Sequence, residues 1–439
     1  MGYGVETFCR WRRALCREWV TMRFIADFHI HSKYSRATSR DMEVETLAQW
    51  AKKKGIALVG TGDFTHPTYF TELQSKLEPA GNGLLRLKKG EQGVFFMLTG
   101  EVSNIYSLAG KVRRIHSLIF VPDFRVAGSI SAKLANLGKI SSDGRPIFGF
   151  PAKDLVKMVL DLSSDCMVIP AHAWTPWFSV FGANSGFDSL EECFGEMTQH
   201  IHAVETGLSS DPGMNWRLSA LDRITLISNS DAHSVNRLGR EANAFDCALD
   251  YGEITGAIRG KDRKKLLFTI EFFPEEGKYH YDGHRDCGVI FSPSETKAHR
   301  ALCPKCGKRL TVGVMHRVEE LADRPEGFIP RNAIPFIHLI PLEEVIAEGL
   351  GLRVGTKGVE AEYERIVERG RSELKVLLDS TPEELAPFVP RRILEGIVRM
   401  RQGKVSILPG HDGVYGKISL FPEAKEEDEK KAEEQLKLF

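Results

Sequence analysis

The sequence has no run of about 18 apolar residues, the length a membrane-crossing helix requires, so no such helix is expected. Its first residues lack the apolar core of a secretory signal, and Glu6 stands where a myristoylation motif needs Ser or Thr. Cysteine is sparse: eight in 439 residues are too few for a disulfide framework. An excess of one charge is missing too, since 59 Lys+Arg balance 59 Asp+Glu, and any contact with a polyanion must come from local basic clusters. There is no internal repeat of fixed period. With 42% hydrophobic, 27% charged and 9% aromatic residues the chain is neither fibrous nor disordered throughout, and its length allows two or three domains. A cytoplasmic location without membrane contact is the expectation.

From Phe24 to about Leu267 short apolar runs alternate with helical stretches, the rhythm of repeated βα units. Near-continuous apolar runs such as Phe24 to Ile30, Val94 to Leu98 and Ile115 to Val121 are those of a parallel sheet covered on both faces, as in a barrel or a doubly wound sheet. The alternation stops between Lys261 and Val318, where Cys and His appear. Pro341 to Arg401 reads as helical, with Thr381-Pro382-Glu383-Glu384 as a capping box. The expected division is residues 1–22 as an N-terminal extension or a start placed too early, 23–267 as an α/β hydrolase domain, 268–320 as a zinc module, 321–421 as a helical domain, and 422–439 as a charged tail.

Residues of ligand type collect at strand ends. Asp27, His29 and His31 alternate with Phe28 and Ile30, so a period of two puts both histidines on one face of the emerging strand. Asp63 follows the run ending at Val59, Glu101 the run ending at Leu98, His172 the run ending at Ile169, and Glu205 follows Val204; Asp231 and His233 follow Ile227, and His116 lies inside a strand. Loops after the carboxyl ends of strands converge on one mouth in βα architectures, so ligands spread over two hundred residues can share an ion. Imidazoles mixed with carboxylates suit zinc, manganese or iron.

Asp-Phe-His29-Ile-His31-Ser, Thr-Gly-Asp63-Phe, Gly-Glu101, Ile-His116-Ser, Pro-Ala-His172-Ala and Ser-Asp231-Ala-His233 resemble, in order, the metal motifs of the polymerase-and-histidinol-phosphatase (PHP) phosphoesterases. That resemblance implies a distorted (β/α)7 PHP barrel with two or three catalytic ions (zinc, manganese or magnesium). Its implied ligands are His29, His31, Asp63, Glu101, His116, His172, Asp231 and His233, with Glu101 as a bridge. The family usually has another His or Asp just beyond the His-x-His pair; here Ser35-Arg36-Ala37-Thr38 occupies that place, which puts a third ion in doubt. His66 and Glu205 stand nearby without an assigned role.

His284-Arg-Asp-Cys287, fifteen residues, then Cys303-Pro-Lys-Cys306 matches the spacing of a zinc ribbon with one cysteine replaced by histidine, a closed structural site; His299 and His280 compete with His284. A PHP barrel, zinc-ribbon module and C-terminal helical domain together resemble endonuclease Q repair nucleases over Phe24 to about Leu420, including Glu271 to His280 and Pro409 to Gly416. This resemblance implies damaged DNA as the partner, cleavage 5′ to uracil, hypoxanthine, xanthine or an abasic site, and a nucleoid-associated enzyme. Arg391, Arg392, Arg399, Arg401 and Lys404 are candidate phosphate contacts, as are Lys297, Arg300, Lys305, Lys308 and Arg309 around the ribbon. Gln435-Leu436-Lys437-Leu438-Phe439 looks like the docking pentapeptide for the bacterial sliding clamp, through Gln435, Leu436, Leu438 and Phe439. A metabolic phosphatase acting on a small phosphate monoester is the alternative; it would share the barrel but has no use for ribbon, basic helix and tail. A degenerate, non-catalytic PHP module would lack ligands that are present here.

Overall fold

The computed structural model describes residues 23–421, so the N-terminal extension and the expected clamp-docking residues lie outside the described part. Its strands are, in chain order, β1 (Phe24–Asp27), β2 (Leu58–Gly60), β3 (Leu77–Pro79), β4 (Leu85–Leu87), β5 (Phe95–Leu108), β6 (Lys111–Val121), β7 (Ile147–Phe148), β8 (Met167–Pro170), β9 (Ala203–Glu205), β10 (Thr225–Ile227), β11 (Ala242–Phe245), β12 (Leu266–Glu271), β13 (Asp282–His284), β14 (Val289–Phe291), β15 (Phe336–His338), β16 (Ser406–Leu408) and β17 (Lys417–Ser419). The central sheet runs β15-β12-β11-β1-β2-β5, with β6 on β5 and β8 on β6.

This α/β fold has a mixed sheet, where the apolar runs suggest a parallel one. β1, β2 and β5 are parallel, but β6 is antiparallel to β5 and to β8, and β11 is antiparallel to β1 and to β12. The β5–β6 connection explains part of the difference. Ala109 and Gly110 both adopt left-handed φ, 49° and 75°, and such a two-residue turn can join only an antiparallel pair.

Alternation along β1 sorts its side chains into two layers. Ile25 joins the layer that includes Leu47 from helix Val44–Lys54, Val126 from Phe124–Ala135 and Leu155 from Ala152–Leu162. Phe24, Ala26 and Phe28 join the other, with Leu58, Met97, Phe120, Ile169, Ala203, Ile227 and Phe245, plus Ile254 and Ile258 from helix Tyr251–Arg259. Phe28 meets Phe120 at 5.0 Å and Phe245 at 6.0 Å, although β6 and β11 lie on opposite sides of β1 in the sheet. The sheet is therefore strongly curled. The parallel pair β9–β10 lies outside the main hydrogen-bonded path, joined to it by Ala173 N to Glu205 O at 2.9 Å and Ser228 N to Asn243 Oδ1 at 3.0 Å.

The division expected at residue 267 falls inside β12. β12 pairs in parallel with β15, so the Cys/His segment is inserted between two adjacent strands of the central sheet. Local apolar patterning carries no sign of this, because the partner strand returns only after the insert. Beyond β15 come helices Leu342–Leu350, Lys357–Gly370 and Arg391–Arg401, with the capping box at Thr381 formed. One basic residue of the last helix departs from its expected role. Arg401 is buried and donates to the carbonyls of Val376 and Leu377, at 2.6 and 2.9 Å, so it holds the helices together and faces no phosphate. Arg391, Arg392 and Lys404 are exposed, and Arg392 and Arg399 lie over the Phe421 ring.

Candidate metal centre

Where β1 ends, the chain stays extended, and Ile30 bridges to Ala232. His29 and His31 thereby project to one side. The Asp231 Oδ1 atom lies 3.0 Å from His31 Nε2 and 3.7 Å from His29 Nε2. On the antiparallel pair β5–β6, Glu101 opposes Leu118 and His116 opposes Ser103, which makes Glu101 and His116 diagonal neighbours on one face. Glu101 Oε1 is 2.7 Å from His116 Nδ1 and 3.2 Å from His172 Nε2. Its other oxygen, Oε2, is 3.4 Å from His29 Nε2 and 3.3 Å from His31 Nε2. Two ligand sets, His29/His31/Asp231 and Glu101/His116/His172, thus meet across one carboxylate, each compact enough to hold an ion.

The residues behind these sets fix their orientation. Glu205 is wholly buried: both its oxygens lie 3.0 Å from His29 Nδ1, Oε2 accepts from His172 N at 2.8 Å, and Oε1 accepts from Asn229 Nδ2 at 2.8 Å. That partnership puts the proton of a neutral His29 on Nδ1 and leaves Nε2 free for a ligand. Asp63 takes the same position behind His31. Its Oδ1 is 3.2 Å from His31 Nδ1, while Oδ2 accepts from Ser32 N, Ser32 Oγ and Ser35 Oγ at 2.6 to 2.8 Å. Asp63 therefore stands outside both ligand sets, and Ser35 hydrogen-bonds to it. His233 lies beside His31, ring centroids 4.4 Å apart, with Nδ1 bound to the Asp231 carbonyl at 2.9 Å, so only Nε2 remains for coordination. His66 caps helix Pro67–Lys76 and stacks on Tyr34, which gives it a structural role.

Backbone strain concentrates at this mouth: Asp63, His172 and Asp231 have φ of 45°, 32° and 47°. Left-handed backbone is uncommon outside glycine, and clusters of it occur where surroundings overdetermine a functional geometry.

The electrostatics favour positive charge at this mouth. Burial disfavours a charged His29, but the Glu205 and Glu101 carboxylates outweigh it and hold its pKa well above the usual value. Burial likewise opposes ionisation of Glu101, yet His116, Arg145 and His29 drive its pKa well below the carboxylate range. Burial pushes His116 down to about 4, leaving a neutral ring available as a ligand. His29 Nε2, His31 Nε2 and Asp231 Oδ1 are buried and without hydrogen-bond partners. Three such donor atoms facing one another fit a divalent ion.

In the insert, His284, Cys287, Cys303 and Cys306 bring one donor atom each to within 4.8 Å of one another. Gly288 and Gly307, each following a cysteine, turn with φ of 59° and 73°, and Cys303 N bonds to Lys308 O at 2.8 Å to close a knuckle. His284 is the histidine that the fold delivers. Of its two competitors, His299 stacks on Phe291 and His280 is buried against Tyr281.

Two residues at this mouth carry roles that sequence reasoning left out. Glu205 was flagged only by its place after a strand. Arg145, whose Nη1 lies 3.0 Å from Glu101 Oε2, sits in a loop with no strand or motif to announce it.

Residues 341–404 match a family described as the MJ0043 C-terminal domain. Protein MJ0043 of Methanocaldococcus jannaschii is 34% identical over 265 residues, 58% of this chain and 32% of that protein; the chain spans about a third of that relative's length. Protein YqxK of Bacillus subtilis is 32% identical over 414 residues, covering 90% of this chain and 99% of YqxK. Among solved structures, the lesion-specific endonuclease PfuEndoQ from Pyrococcus furiosus is similar with a TM-score of 0.81 and 34% identity, over 91% of this chain and 95% of that one. A second structure, endonuclease Q in complex with a 27-mer duplex substrate bearing an abasic lesion at the active site, gives a TM-score of 0.80 and 34% identity, over 92% and 98% of the two chains.

Proposed function

This chain belongs to the endonuclease Q family of DNA-hydrolysing enzymes, and from that premise we propose that it is a metal-dependent repair endonuclease that cuts the phosphodiester 5′ to a deaminated base or an abasic site. The observation that carries this proposal is Glu101, one carboxylate shared by two compact ligand sets at the strand-end mouth of the sheet.

In this reading the curled sheet is a distorted PHP barrel, with the gaps on either side of β9–β10 closed by hydrogen bonds from Ala173 and His172 to Glu205 and by those that join Ser228 to Asn243 and Ile270. His29, His31 and Asp231 would hold one divalent ion and His116 and His172 another, with the Glu101 carboxylate within reach of both sets. Zinc and manganese suit this mixture of imidazole and carboxylate better than magnesium, which prefers oxygen donors alone. Cations held there supply charge neutralisation to a phosphate and activation of water. Glu205 and Asp63 orient the histidine rings, and burial keeps solvent from the faces of His29 and His31. The four donors of the insert hold a structural zinc without an open position. Exposed Lys297, Arg300, Lys305, Lys308 and Arg309 on the ribbon, with Arg391 and Lys404 on the helical part, offer sequence-independent contacts to the DNA backbone. The terminal Gln-Leu-x-Leu-Phe segment, outside the described residues, tethers the enzyme to a sliding clamp, which raises its effective concentration on DNA.

The test is incubation with Mn2+ or Mg2+ and end-labelled duplexes carrying one uracil, hypoxanthine or abasic site. A single nick immediately 5′ of the lesion, absent from the undamaged duplex, is expected. Equal cutting of undamaged DNA, or turnover of small phosphate monoesters alone, would overturn the proposal.

A further inference from the structure

Arg145 reaches the metal centre from a loop pressed against it. Gly144 N bonds to Tyr34 O at 3.0 Å, Ser103 N to Pro146 O at 3.0 Å, and Arg145 N to Asp143 Oδ1 at 3.2 Å. A Cβ on Gly144 would overlap Asp63 Oδ2 and Ser35 Oγ, so the glycine is what lets the loop descend onto the residues behind His31. Such anchoring is more than an exposed loop needs. Its result is to hold one guanidinium 3.0 Å from the carboxylate that joins the two ligand sets, with the Arg145 side chain still 28% exposed and thus open to a ligand from solvent.

Charge decides what that guanidinium does when the centre is filled. Four carboxylates belong to the mouth: Glu101 and Asp231 facing the cavity, Glu205 and Asp63 behind the histidines. Two divalent cations would balance them, the imidazoles being neutral as ligands. Glu101 and Asp231 would then be engaged by the cations, and the remaining carboxylate beside the loop, Asp143, is paired with Arg36 at 3.2 Å, so the Arg145 guanidinium is the positive charge left to meet a ligand. A single charge of that sign complements the single negative charge of a phosphodiester, and the planar guanidinium suits phosphate oxygens.

Resting on the proposed phosphodiester hydrolysis, we propose that Arg145 is a catalytic residue that binds a non-bridging oxygen of the scissile phosphate and stabilises the charge that builds there. In the step it serves, the oxygen of water bonds to phosphorus and one ester P–O bond breaks. One proton of the water passes to the leaving oxygen and the other to solvent.

Full-length Arg145→Gln and Arg145→Lys are compared with the wild type in single-turnover nicking at saturating DNA across a Mn2+ series. Metal content and melting are measured alongside. A third readout uses duplexes with a sulfur in place of each non-bridging oxygen of the scissile phosphate. Arg145→Gln is expected to slow nicking about 10²- to 10³-fold, the usual cost of losing one preorganised charge stabiliser. Metal content and melting should stay unchanged, and the preference between the two phosphorothioate isomers should shrink. Arg145→Lys should recover part of the rate. A rate within threefold of wild type in Arg145→Gln overturns the inference; so does a loss that excess Mn2+ restores, which would make Arg145 a positioning residue for Glu101. If the wild type itself fails to nick, the proposed function falls, and the inference with it.

Discussion

Glu205→Gln separates orientation of a ligand from ligation itself. The side chain is wholly buried and receives His29 Nδ1, His172 N and Asn229 Nδ2 at 2.8 to 3.0 Å. The isosteric amide has one acceptor oxygen where the carboxylate has two. The amide of Asn229 cannot simply turn to compensate, since its Oδ1 already accepts from Phe28 N at 2.9 Å. One NH2 group must therefore face another donor inside the protein, which costs about 1–3 kcal/mol, and the remaining bonds lose their charge-assisted part, about 1 kcal/mol more. A total of roughly 2–4 kcal/mol corresponds to a fall in Tm of about 5–10 °C for a domain of this size. The same change loosens the His29 tautomer and should weaken metal binding by about 10- to 100-fold. Isothermal titration of metal-stripped protein with Mn2+ measures the affinity, and nicking against Mn2+ concentration measures the consequence. Activity that returns to near wild type at high Mn2+ is the expected pattern. Unchanged Mn2+ affinity with a lost rate would show that Glu205 acts on the reaction directly and would refute the orienting role.

Cys303→Ser should remove one zinc per chain and lower melting, because binding at a closed site is coupled to folding; unchanged zinc by mass spectrometry would end that assignment. Arg391→Ala should weaken duplex binding and reduce the salt slope by about one, while Arg401→Ala should lower stability and leave the affinity of the folded fraction unchanged, as fluorescence anisotropy across a salt series will read. Burial pushes the Glu271 carboxyl up to about 8, far above its unfolded value of about 4.3. The folded state therefore holds a proton that the unfolded state releases, so stability contributed by this group is present at low pH and lost as pH rises through 8. Glu271→Gln should flatten the decline in denaturant midpoint between about pH 5 and pH 8. Deleting Gln435 to Phe439 should abolish binding to a bacterial sliding clamp in calorimetry, without changing nicking of short free duplexes.

The site was legible in the sequence where chemistry coincides with strand period. His29 and His31 share a face because the chain beyond β1 stays extended, and Glu101 and His116 meet because a hairpin sets them diagonally; both follow from alternation and position alone. Asp63 was read as a ligand from its motif, yet Ser32 and Ser35 occupy one of its oxygens, a matter of three-dimensional hydrogen bonding that residue type does not announce. Arg145 stayed hidden because its loop arrives through packing of Gly144 on Asp63, a contact between segments eighty residues apart in sequence. Strand direction was misjudged for a similar reason. Buried strands look alike in composition whether parallel or antiparallel, and only the Ala109-Gly110 turn betrays the hairpin. The chain's return to β15 after the Cys/His insert has no local signature at all. Thr381 and the cysteine spacing, by contrast, are local signals, and both formed the geometry their spacing implies.

Whether Glu101 joins two ions is tested most directly by counting metals in purified wild type and Glu101→Gln by plasma mass spectrometry after Mn2+ loading, alongside nicking of a uracil duplex. Two Mn2+ per chain beyond the single zinc are expected in the wild type, with fewer than two bound and nicking abolished in Glu101→Gln, and melting within a few degrees. A variant that retains both Mn2+ ions and cuts at a near wild-type rate would contradict the account.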